Sequence, residues 1–109
     1  DGSEYFFRDV ESYDPRGDAK QFTPEAADLL QKCRDALAAL EPFDLQTTEA
    51  AYNQLAETLG LKLGKLIHPT RLALTGRTFS PGMFDVMVLL GREKTLDRID
   101  RAIAYIRNK

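Results

Sequence analysis

The chain has 109 residues, of which 43% are hydrophobic and 29% charged, with one cysteine and one histidine. That length and composition fit one ordinary globular domain with a real core. One Cys and one His exclude an internal disulfide and a zinc knuckle, and no apolar run reaches the roughly 18–20 residues a spanning helix needs.

The net charge of −2 hides a division. Residues 1–60 carry five Lys/Arg against 13 Asp/Glu, and residues 61–109 carry ten against four. Either the C-terminal half meets a polyanion or the two halves attract each other. The lone Cys33 suits a reducing compartment, so the cytoplasm is expected. The opening DGSEYFFRDVES lacks a signal peptide's basic start and apolar stretch. It also lacks an initiator Met, which suggests a piece of something longer.

Residues 1–22 hold Tyr5, Phe6, Phe7, Tyr13 and Phe22 among acids, without a helical period. Pro15-Arg16-Gly17-Asp18 reads as a turn. An irregular arm over residues 1–22 is therefore expected, its aromatics packing back on a helical domain over residues 23–109. Thr23-Pro24-Glu25 is a helix start: a capping hydroxyl, a proline at the first helical position, and an acid facing the positive end. Ala26, Leu30, Cys33, Leu37 and Leu40 then form one apolar stripe, and Pro42 stops it. Cys33 on that stripe reads as a small buried apolar residue.

The next helix is predicted to start at Thr47 or Thr48, to pack Tyr52, Leu55 and Leu59, and to stop at Gly60. A third is predicted over Leu63–Leu74, with Pro69 inside it as a kink or restart and Gly76 just past its end. Ser80-Pro81 signals a fourth start. Met83, Phe84, Val86, Met87, Val88, Leu89 and Leu90 make that helix apolar nearly all round, so it should be central and buried. Gly91 ends it. A last helix over Glu93–Arg107 turns Leu96, Ile99, Ile103 and Ile106 inward, with Arg98, Arg101 and Arg107 mostly outward. The expected fold is all-α, a bundle of about five helices with an irregular N-terminal arm.

No catalytic arrangement is visible. His68 has no carboxylate or nucleophile beside it, and there is no GxGxxG, P-loop or HExxH. A binding or structural module is what remains. The candidate surface is Arg71, Arg77 and the loop around them, with Ser80 to Gly82 offering backbone N–H groups at a helix N-terminus. An RNA loop could use such a place, its bases stacking on arginine planes and its phosphates meeting cations. On the residues alone, the plainer reading stays open: Ser80 only caps and both arginines are solvated.

The ordered string Pro69-Thr70-Arg71, Ala73-Leu74-Thr75-Gly76, Ser80-Pro81 and Leu90-Gly91-Arg92-Glu93 resembles the C-terminal anticodon-binding region of bacterial glutamyl-tRNA synthetases. The match is strong over about residues 61–106 and loose upstream. The resemblance implies a helical cage that grips the anticodon loop of glutamate tRNA. Carried over by motif, it points to Arg71, Ser80, Pro81 and Met83 as base contacts, with Thr75, Gly76 and Arg77 as further loop contributors. Thr70 departs from the family, where an apolar residue is commoner, and His68 precedes the proline. It also implies that ATP and magnesium belong to a ligase fold elsewhere in a parent enzyme, that this chain has no catalytic or metal site of its own, and that it is a monomer whose partner is tRNA and not a membrane. The alternative is a helical protein-interaction module with no RNA role.

Overall fold

The computed structural model describes residues 12–77 and 82–109. Among them are six helices and no strand: α1 Pro15–Gln21, α2 Pro24–Ala38, α3 Leu45–Leu59, α4 Gly64–Thr75, α5 Met83–Leu90 and α6 Arg92–Arg107. The all-α expectation holds, with one helix more than the five expected.

The extra helix is α1, where a turn was expected. Proline, glycine and aspartate signal turns, but Asp14 followed by Pro15 also makes a helix start. The Asp14 carboxylate accepts the Gly17 N–H at 3.1 Å, with the proline at the first helical position. The arm's described aromatics do pack back: the Tyr13 ring lies 4.8 Å from those of Phe22 and Tyr105. Tyr5, Phe6 and Phe7 lie outside the described residues.

Thr23 caps α2 as expected, its hydroxyl accepting the Ala26 N–H. The cap of α3 is Asp44, earlier than the expected Thr47 or Thr48. Asp44 accepts the Thr47 N–H at 2.8 Å, and the Thr47 hydroxyl accepts the Asp44 N–H at 3.0 Å. This reciprocal pair satisfies two otherwise orphaned donors. Gly60 closes α3 in the left-handed conformation, at φ +69°.

The helices α2 and α6 share the most extensive packing, and α4 lies against α1, α2, α5 and α6. The core runs from Phe22, Leu30 and Leu37 through Tyr52, Leu66, Leu72 and Leu74 to Met87, Ile99 and Ile106. Two expectations fail here. The helix α5 is buried on one side only, through Met83, Val86 and Met87, while Val88 and Leu89 face out. Arg98, expected outward, is 2% exposed and donates from Nη1 to the Leu74 carbonyl at 2.6 Å.

Candidate functional site

The site is built on the end of α4. Pro69 sits inside the helix and is itself buried. A proline there has no N–H to give and its ring presses on the carbonyl four residues back, which breaks the regular ladder. Arg71 follows two residues later. It is half-buried, and its Nε is buried without a hydrogen-bond partner. The side chain still reaches the surface.

Thr75 locks the turn behind Arg71. Its hydroxyl donates to the Arg71 carbonyl at 2.8 Å and accepts the Arg77 N–H at 3.1 Å. It is a buried turn-builder whose hydroxyl is committed to backbone. Gly76 then reverses the chain at φ +75°, a conformation only glycine adopts freely. Its carbonyl accepts the Asp14 N–H at 2.8 Å. The segment before α1 therefore pins the same loop, a contribution that no local sequence signal announced. Arg77 emerges exposed.

Of the other expected residues, Ser80 and Pro81 lie outside the described residues. Met83 is described, opens α5, and is buried in the core. Gly82 is the residue before it, and an added Cβ there would press on an Asp85 carboxylate oxygen. Asp85 thus folds back over the start of α5. Its charge suits the positive helix end. His68 and Lys65, on the turns before Arg71, are exposed. No group of His, Cys, Asp and Glu among the described residues could hold a metal.

Sequence reasoning also missed a buried polar pair beneath this loop. The Tyr52 hydroxyl on α3 lies 2.8 Å from the Thr70 hydroxyl on α4, and the Tyr52 ring meets Phe84 of α5 edge-on at 5.5 Å. The charge division is partly neutralised within the fold: Arg107 approaches Asp28 at 3.9 Å and Lys109 pairs with Asp18.

The described helices present an arginine past a proline within α4, beside a glycine-reversed loop, an arrangement suited to a binding module. The chain belongs to the anticodon binding domain family, whose profile matches residues 1–103. The glutamate–tRNA ligase 1 of Caldanaerobacter subterraneus subsp. tengcongensis is 51% identical over 107 residues, 97% of this chain and 22% of its own length. The glutamate–tRNA ligase of Moorella thermoacetica is 52% identical over 108 residues, 98% of this chain and 22% of its own length. The crystal structure of a glutamate tRNA ligase from Elizabethkingia meningosepticum, in complex with its amino acid, matches with a TM-score of 0.90 at 35% identity, over 95% of this chain and 20% of that one. The expected kinship with glutamyl-tRNA synthetases is thus met, and the alternative of a protein-interaction module is not favoured. The chain spans about a fifth of the length of these relatives, and no described helix is long and apolar enough to cross a membrane.

Proposed function

We propose that this domain reads the anticodon loop of a glutamate tRNA within a cytoplasmic, monomeric glutamate–tRNA ligase. The supporting observation is Arg71: a half-buried arginine that reaches the surface near the end of α4, two residues past Pro69 and just before the turn that Thr75 locks. A base edge accepts from the outer N–H groups of the guanidinium, and the guanidinium plane offers a surface for stacking. Arg77, exposed beyond Gly76, meets the phosphate backbone. Ser80 and Pro81 of the intervening segment contact bases in this reading, and Met83 acts by anchoring that segment in the core.

Binding of this kind contributes to a reaction it never touches. Gripping the far end of the tRNA fixes its orientation, so binding energy from a remote part of the substrate sets the geometry at the reacting end. ATP and magnesium belong to other parts of such a ligase.

The test is binding of the chain to a glutamate-tRNA anticodon stem–loop, with Arg71→Ala as the variant. A loss of about 1–3 kcal/mol is expected, the scale of a bidentate base contact. Equal affinity of the variant and the parent chain would sink the reading.

A further inference from the structure

We infer that the buried hydroxyl pair Tyr52–Thr70 is a positioning device for Arg71, setting the course of α4 past Pro69 and hence where the guanidinium points. The inference rests on the anticodon reading above and adds to it which groups make that reading possible.

The direction of the pair follows from proton counting. The Thr70 hydroxyl lies 2.7 Å from the Leu66 carbonyl and 2.8 Å from the Tyr52 hydroxyl. A carbonyl only accepts and threonine has one proton, so Thr70 donates to Leu66 and Tyr52 donates to Thr70. Both residues are fully buried. The chain Tyr52, Thr70, Leu66 therefore runs from α3 onto the backbone of α4, one turn before Thr70. This is the same turn that Pro69 disrupts. A threonine bonded to the carbonyl four residues back bends a helix, as does the proline, and here the two lie side by side immediately before Arg71.

Tyr52 joins the two sides of the loop. Its hydroxyl reaches Thr70, next to Arg71, and its ring rests on Phe84, next to Met83. The arrangement thus couples the end of α4 to the start of α5 through one rigid side chain. An apolar residue at position 70 would fill the same space, but it would leave the Tyr52 hydroxyl only the weakly accepting sulfur of Cys33, which also borders the pair. The pair is a matched set.

The experiment uses the full 109-residue chain with Tyr52→Phe, Thr70→Val and Thr70→Ser. The buried Arg71 Nε–H is shielded from water, so its NMR resonance reports guanidinium position in the RNA-free protein. That resonance is expected to move in Tyr52→Phe and Thr70→Val and to return in Thr70→Ser. The second readout is the affinity ratio between the glutamate-tRNA anticodon stem–loop and the same stem–loop with one altered anticodon base. The ratio is expected to fall about fivefold in Tyr52→Phe and Thr70→Val, the scale on which a lost neutral hydrogen bond is felt. In the Arg71→Ala background, Tyr52→Phe is expected to change the ratio no further. An unmoved resonance, or an unchanged ratio where the parent chain discriminates, overturns the proposal even if the thermal midpoint drops. A moved resonance in a parent chain that discriminates no bases supports the positioning and overturns the anticodon reading instead.

Discussion

Arg98 donates from Nη1 to the Leu74 carbonyl at 2.6 Å, and through this bond α6 holds the last turn of α4 in place. The arginine is the largest fully buried side chain of the described fold, and the carbonyl it meets belongs to the turn that ends at Thr75 and Gly76. The pair is a structural support for the site. Arg98→Ala removes a charged donor and leaves a cavity, so a loss of about 2–4 kcal/mol of folding stability is expected in urea denaturation. Because Arg98 is buried, the variant that still folds should keep its preference among anticodon bases. A loss below about 1 kcal/mol, the scale of an ordinary neutral bond, would show that the contact is not structural.

That residue also marks where sequence reading stopped. Several helix ends were legible from local signals: Thr23-Pro24 before α2, Gly60 and Gly76 in left-handed closures, Gly91 between α5 and α6, whereas the Asp44 cap of α3 was hidden by the threonines that follow it. Asp14-Pro15 was ambiguous because turn residues and cap residues are the same chemical types. Arg98 was misread because charge argued outward, and only a carbonyl on another helix could argue inward. The apolar run of α5 argued for full burial, yet a helix at the edge of the bundle covers one face only. For the site, Arg71 and Gly76 stood out by type and order. Thr75 as a turn lock, the pinning of Gly76 by Asp14, and the Tyr52–Thr70 pair depend on partners 18 or more residues away, or on which way a hydroxyl turns.

The two ends of α3 separate conformational from hydrogen-bonding contributions. At Gly60 an added Cβ would meet nothing within 4 Å, yet φ is +69°. Gly60→Ala is therefore expected to cost about 1 kcal/mol through backbone conformation alone. At the other end, Asp44→Ala breaks the reciprocal cap and is expected to cost about 1 kcal/mol through lost hydrogen bonds. Gly60→Asn, which tolerates the left-handed region better, should recover part of the first loss. Identical urea midpoints for Gly60→Ala and Gly60→Asn would argue against a conformational origin.

Alkaline pH should loosen the fold through Cys33 and Tyr52. Burial pushes the Cys33 thiol from its ordinary 9.0 up to about 11 and raises the Tyr52 hydroxyl well above 10. Below pH 9 the thiol is protonated in both folded and unfolded chains, and its contribution to stability is fully present. Between about 9 and 11 the unfolded chain releases a proton that the folded chain retains, so stability falls as pH rises. Urea midpoints measured from pH 7 to 11 should decline over that window. Cys33→Ala should show a lower midpoint at pH 7, from the small cavity, and a shallower decline. A Cys33→Ala profile parallel to that of the parent chain would place the alkaline loss elsewhere.

Arg71 and Arg77 should separate under salt. Arg71, half-buried and two residues past Pro69, is assigned to a base. Arg77, exposed past Gly76, is assigned to phosphate. Each phosphate contact releases condensed counterions, so affinity for a stem–loop falls with rising salt with a slope set by the number of such contacts. Arg77→Ala is expected to reduce that slope by about one and to weaken binding equally for every anticodon sequence. Arg71→Ala is expected to flatten the preference among anticodon bases. Its effect on the slope should be the smaller one, because what it loses is a base contact. Affinities measured at 50 and 200 mM salt, for one cognate and one base-altered stem–loop, give all four quantities. The assignment fails if Arg77→Ala erases base preference while Arg71→Ala changes only the slope, because the two arginines would then hold each other's roles.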